Sequence, residues 1–167
     1  VDARMAFVTA SNLEEQITPD MDYVIDCIDS VKNKAALISF CNRRKIRIIT
    51  TGAAGGQTDP TKIQIGDLNK TFNDPLARKV RSLLRRDYNF SRNQTRTYSI
   101  PCVFSTEQLS YPKSDGTVCY TKAFDGDSTQ LDCDSGFGSA TMVTGTFGFV
   151  AASRVIKRIS EAAGKKP

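Results

Sequence analysis

The stretch that decides the fold is Tyr23–Thr51, "YVIDCIDSVKNKAALISFCNRRKIRIITT". An apolar run, Tyr23-Val24-Ile25, meets two aspartates, Asp26 and Asp29, where the run should stop. Met21–Asp26 reads as a strand buried on both faces, because its apolar residues run on rather than alternate. Ser30–Arg44 reads as a helix, with Ala35, Ala36, Ile38 and Phe40 as apolar positions and Asp29 or Ser30 as its cap. Ile46–Thr51 is a second β-rich run. Strand, helix and strand within about thirty residues make a βαβ unit, hence a parallel pair in an α/β fold. In open α/β sheets ligands sit beyond the carboxyl ends of the strands, where a carboxylate can hold Mg²⁺ beside phosphates. The competing reading is that Asp29 caps the helix and Asp26 bonds turn amides, and spacing alone favours it.

Working outward, Val1–Ala10 reads as a short strand or its end, followed by a short helix through Ile17 and a turn at Thr18-Pro19-Asp20. On the other side, "TTGAAGGQTDP" (Thr50–Pro60) is a small-residue loop, and Lys62–Leu68 alternates as a strand does. Asp74–Asn89 is a helix: Asp74 caps it, Pro75 takes its first position, and Leu76, Val80, Leu83 and Leu84 form one stripe. Residues 91–99 are polar and expected to be mobile. "PCVFS" opens a strand, residues 114–133 suggest hairpins or a mobile loop, and a last helix runs from about Ser139 to Ala163. Within Gly136–Ser153, uncharged and rich in Gly and Thr, a buried helix packed closely through small residues is expected rather than a membrane span, which wants about 20 strongly apolar residues. The chain divides at residue 60, with the strand, helix and loop unit before it and the remaining elements after it.

The 167 residues suffice for one domain with its own core. Histidine is absent, which removes His-based acid–base chemistry and His-ligated metals from these residues. Five cysteines are scattered without a C-x-x-C pair, and they read as reduced thiols of a cytoplasmic protein. The net charge of +5 is unevenly placed. Residues 1–31 carry one base against seven acids, residues 32–96 fifteen bases against four acids, and residues 97–167 seven of each. A basic middle third points to a polyanion such as nucleic acid, with a merely solvated basic face as the alternative.

Neither glycine-rich stretch fits a dinucleotide fingerprint, which needs strand, G-x-G-x-x-G and helix in succession. "GAAGGQ" (Gly52–Gln57) follows a strand but does not open a helix; "GFGSAT" (Gly136–Thr141) opens a helix without a clear strand before it. "CVFSTE" (Cys102–Glu107) offers a thiol, two hydroxyls and a carboxylate, although a lone Cys in an apolar run is usually a core residue.

Taken together, "YVIDCIDSVKNKAALISFCNRRKIRIITTGAAGGQTDPTKIQIGDLNKTFNDPLA", "VFSTEQLSYPKSDG" and "SGFGSATMVTGTFGFVAAS" resemble the C-terminal part of the bacterial tRNA threonylcarbamoyladenosine dehydratases. These belong to the HesA/MoeB/ThiF group, relatives of ubiquitin-activating enzymes. The resemblance implies a Rossmann-like adenylating fold, a mixed sheet with flanking helices, whose N-terminal nucleotide-binding half precedes the matched region. It implies ATP-dependent dehydration of threonylcarbamoyladenosine in tRNA: the threonyl carboxylate is adenylated, and the neighbouring carbamoyl oxygen closes the ring, expelling AMP. An intramolecular attacker gains from proximity, so neither a histidine base nor a covalent Cys is required.

The resemblance makes residues 1–60 the remainder of the Rossmann-like ATP-binding domain and 61–167 its substrate-binding, tRNA-binding and dimerisation region. Position by position, it makes Asp29 and Lys34 the candidate catalytic residues, with Asp29 and Ser30 meeting Mg²⁺–ATP. Asp26 becomes structural. Gly52, Gly55, Gly56 and Gln57 form the loop near the substrate. Arg43, Arg44 and Lys45, with Arg78, Arg81, Arg85 and Arg86, become candidates for tRNA phosphates. Cys102 matches a family cysteine and stands as a candidate reactive thiol. ATP and Mg²⁺ are the expected cofactors, with a monovalent cation as a further candidate. A homodimer and sulfur-transfer proteins are the expected protein partners. Without the ATP loop of the family's other half, the residues given are not expected to turn over alone. Two alternatives stay open: an adenylating enzyme for a ubiquitin-like or sulfur-carrier protein, and a non-catalytic fragment or interaction module.

Overall fold

The computed structural model describes residues 1–112, 117–119 and 138–164. Four strands form one sheet in the order β1 (Val24–Asp26), β2 (Ile48–Thr51), β4 (Pro101–Ser105), β3 (Ile63–Asp67). β1, β2 and β4 run parallel, while β3 is antiparallel to β4 and closes one edge. The βαβ unit is therefore present, with α2 (Val31–Arg44) as its crossover helix. A short first helix, α1 (Leu13–Gln16), precedes it.

Helices cover both faces of this sheet, and the strand residues sort between them with period two. Ile48, Cys102 and Phe104 join Val24 in a core with α2 and with α3 (Pro75–Asp87). Their neighbours Ile49 and Val103 point the other way, onto Val143, Phe147 and Ala151 of α4 (Thr141–Ala163). All four residues of β2 are consequently buried. α3 obeys its sequence closely: the Asp74 side chain accepts from the Ala77 amide at 2.8 Å, Pro75 is first in the helix, and Leu76, Val80 and Leu84 are buried.

Several expectations need correction. Residues 1–10 form no strand, and Met5 and Phe7 are fully exposed; no strand lies beside them among the described residues to complete a ladder. β1 is three residues long, and Ile25 is 44% exposed, so this strand is buried on one face, not two. The reason is lateral: α4 packs across β2, β4 and β3, leaving Ile25 at the sheet edge in the open. Residues 91–99 lack regular structure but are tied down. Asn69 Nδ2 donates to the Asn93 and Arg96 carbonyls, and the buried Tyr98 donates its hydroxyl to the Ser91 carbonyl at 2.8 Å.

α4 buries one stripe only. Met142, Phe149 and Ile156 are exposed, and a Cβ added at Gly145 or Gly148 would meet nothing within 4 Å. Close packing through those glycines is therefore not what α4 does within this chain. Tyr111–Pro112 (β5) and Val118–Cys119 (β6) form a short antiparallel pair; the rest of the expected hairpin region, and the first residues of "GFGSAT", lie outside the described residues. Among the described residues no helix is long and apolar enough to cross a membrane.

Candidate functional site at the carboxyl ends of β1 and β2

β1 delivers Asp26 into the protein rather than to its surface. Asp26 is paired across the ladder with Thr50, whose Oγ1 donates to Asp26 Oδ2 at 2.6 Å. The Lys34 ammonium lies 3.0 Å from the same oxygen, with both side chains almost fully buried. Lys34 Nζ also donates to the Ile28 carbonyl at 2.9 Å, and the Ile28 amide donates to Asp26 Oδ1 at 3.0 Å. Every charge in this knot is answered from within the fold. Lys34 therefore does not reach a ligand as the sequence reading had it; its position one turn into α2 aims it back under the strand end.

Asp29 differs in every respect. It is exposed, and its carboxylate has no partner among the described residues. It stands between β1 and Ser30, the N-cap position of α2, whose side chain makes no capping bond. The first-turn amides of α2 thus remain open beside Asp29, a setting whose partial positive charge favours phosphate. One carboxylate next to a phosphate-accepting helix end fits Mg²⁺ carried by a nucleotide, since that ion keeps few protein ligands. Among the described residues no group of three His, Cys, Asp or Glu could hold a metal unaided.

The loop after β2 is held from three sides. The Gly52 amide extends the sheet to the Val103 carbonyl at 2.8 Å, and the Ala53 amide donates to Asp74 Oδ2 at 3.1 Å. Gly56 has φ 69°, a left-handed conformation suited to glycine, and its amide donates to the Gly138 carbonyl at 3.0 Å. Gln57 is buried; its Nε2 donates to the Ala53 carbonyl at 3.2 Å while its Oε1 has no partner among the described residues. Glu107, from "CVFSTE", accepts from the Thr58 and Asp59 amides at 3.0–3.2 Å, which makes it a clamp on this loop.

Asp74 is the residue that reading the sequence missed. It was visible only as a helix cap, yet its second oxygen secures the loop. Burial pushes its carboxyl above the ordinary range, while the Ala77 and Ala53 amides, Lys34 and Arg81 pull against that rise. Its proximity also explains Gly52: a Cβ there would stand 1.7 Å from Asp74 Oδ2.

Two groups of candidates change status. Cys102 is wholly buried, and burial drives its thiol far up, so it packs rather than reacts. Cys41 is likewise buried and pushed up to about 11. Of the arginines on α3, Arg81 donates to Thr71 Oγ1, and Arg85 to the Tyr98 hydroxyl at 2.9 Å and Asn69 Oδ1 at 2.7 Å. Both are half-buried and turn guanidinium hydrogens inward, onto Thr71 and onto Asn69 and Tyr98, which gives them a structural role that the sequence reading did not assign. Arg78 and Arg86 are exposed, although Arg86 pairs with Asp87. Arg43, Arg44 and Lys45 are exposed at the end of α2, with Arg44 paired to Glu14 and lying over the Phe40 ring.

The profile of the ThiF family matches residues 1–167. The chain belongs to the ThiF family. As a ThiF-family chain it is 52% identical over 160 residues to the tRNA threonylcarbamoyladenosine dehydratase of Escherichia coli K12, covering 96% of this chain and 60% of that protein. It is 53% identical over 154 residues to the enzyme of the same name from Haemophilus influenzae, covering 92% of this chain and 56% of that one. Among solved structures it resembles TcdA (CsdL) with a TM-score of 0.84 at 49% identity, covering 96% of this chain and 59% of that chain. It resembles E. coli TcdA in complex with ATP with a TM-score of 0.78 at 45% identity, covering 96% and 57%. This ThiF-family chain thus spans somewhat more than half the length of the relatives it matches, and its mixed α/β sheet is theirs.

Proposed function

We propose that the protein carrying this chain performs the ATP-dependent dehydration of threonylcarbamoyladenosine in tRNA. The observation that carries this reading is the contrast at the end of β1: Asp26 is neutralised by Lys34, and Asp29 is left exposed and unpaired beside the open N-terminus of α2. Likeness to dehydratases over nearly the whole chain, and to a solved relative complexed with ATP, supports it. ATP with Mg²⁺ supplies activation of the threonyl carboxylate. Asp29 holds the metal, the first turn of α2 receives phosphate, and the clamped Gly52–Gln57 loop forms the adjacent wall for the modified nucleoside. Arg78 and Arg86, with Arg43 and Lys45, contact tRNA phosphates, which fix position rather than sequence.

The exposed stripe Met142, Phe149 and Ile156 recurs every seven residues on α4, the spacing of a helix seam. A second copy of the chain is the occupant we assign to it.

The decisive measurement is ATP-dependent loss of one water from threonylcarbamoyladenosine in tRNA, read by mass spectrometry of the released nucleosides. Wild-type protein converts the nucleoside and Asp29→Asn does not, with its fold intact by circular dichroism. Full conversion by Asp29→Asn would remove Asp29 from the site; no conversion by wild type would remove the activity.

A further inference from the structure

A cleft of about 530 Å³ lies at the opposite end of the sheet, where β2 and β4 begin. It is lined by Lys45, Arg47, Arg154 and Arg158, with Glu161 as its one carboxylate. Glu161 answers Arg158 at 3.2 Å, which leaves three cations of the cleft without a counter-charge among the described residues. Arg154 Nε is buried and has no partner among the described residues. Among the described residues Arg154 Nε meets no carbonyl, so it is not there to close the end of α4. Arg154, Arg158 and Glu161 follow one another at i, i+4 and i+7 along one side of α4, and they meet the α2–β2 turn that carries Lys45 and Arg47.

We propose that this cleft is a phosphate-binding site, separate from the nucleotide end of the sheet. Three uncompensated cations exceed what a single carboxylate would neutralise, and guanidinium forks match phosphate oxygens two at a time. The weak partial negative charge at the nearby ends of α2 and α4 opposes an anion, but it falls off within a turn and amounts to a fraction of one charge. The phosphate can belong to a polynucleotide backbone or to a free anion, and the two are separable by experiment. The site shares Lys45 with the proposed tRNA contacts, while Arg47 and Arg154 belong to the cleft alone.

The test uses purified protein, inorganic phosphate and a short unmodified single-stranded RNA as probes. Phosphate should shift the Arg154 Nε–H resonance in a ¹H–¹⁵N spectrum. RNA binding, read by fluorescence anisotropy, should weaken about tenfold in Arg47→Gln/Arg154→Gln, and its salt slope should fall by about 2. Glu161→Gln should tighten binding of whichever probe the site takes, an outcome that a purely structural role for these side chains would not produce. A response to RNA, with or without phosphate, assigns a backbone phosphate; a response to phosphate alone assigns a free anion. If the Arg154 resonance stays still and neither variant alters RNA affinity, the cleft is not a phosphate site. Thermal melts of each variant separate loss of binding from loss of fold.

Discussion

Asp74 Oδ2 lies 3.1 Å from the Ala53 amide nitrogen while Asp74 Oδ1 lies 2.8 Å from that of Ala77, so one carboxylate joins the loop after β2 to the start of α3. Gly52→Ala drives a methyl into this bridge, where its carbon would stand 1.7 Å from Oδ2. Overpacking of this kind costs about 1–3 kcal/mol, and the loop must shift to relieve it. We expect lower stability in urea and reduced dehydration. Pairing Gly52→Ala with Asp74→Ala should cost less than the sum of the two single changes.

The same carboxyl makes stability depend on pH. Its folded value lies above the ordinary 3.8 because of burial. The native state therefore holds a proton that the unfolded chain has already released, and this contribution is present below the unfolded value and lost as pH rises through the folded one. Relative to Asp74→Asn, wild type should lose stability on going from pH 4 upward across that window. Denaturant midpoints of both proteins at several pH values measure it, and parallel curves would contradict it.

Asp26→Asn or Lys34→Met alone leaves a buried charge without its partner, which costs about 3–5 kcal/mol. Replacing both by apolar residues of similar volume should cost clearly less. Asp29→Asn, at an exposed position, should change stability by no more than about 0.5 kcal/mol while nucleotide-dependent activity falls. The split between urea midpoint and turnover separates the aspartate that holds the fold from the one assigned to the reaction.

Arg81→Gln and Arg85→Gln should lower stability by breaking bonds to Thr71, Asn69 and Tyr98. Arg78→Gln and Arg86→Gln should leave stability nearly unchanged and each reduce the salt slope of tRNA binding by about 1. Equal effects of all four on tRNA binding at unchanged stability would refute this division.

Phe149→Asp and Ile156→Asp place charges on the exposed stripe of α4. Sedimentation should show a dimer for wild type and a monomer for these variants. A monomeric wild type would leave that stripe to some other occupant.

The sequence by itself determined the order of elements. Strand, helix and strand over Tyr23–Thr51, the capped helix after Asp74, and the last helix near Thr141 all follow from local pattern, because propensity, capping and periodicity act over neighbouring residues. It also carried the family through the text around Asp29 and Gly52–Gln57. What it left open was which side chains meet across distance. That Lys34 spends its charge on Asp26 and that Arg81 and Arg85 turn inward depend on partners 8 to 16 residues away, and that Cys102 is sealed depends on burial. Asp74 shows the difference most plainly: its cap to Ala77 is a local bond readable in the chain, whereas its bond to Ala53 spans 21 positions and exists only because the end of β2 lies beside the start of α3.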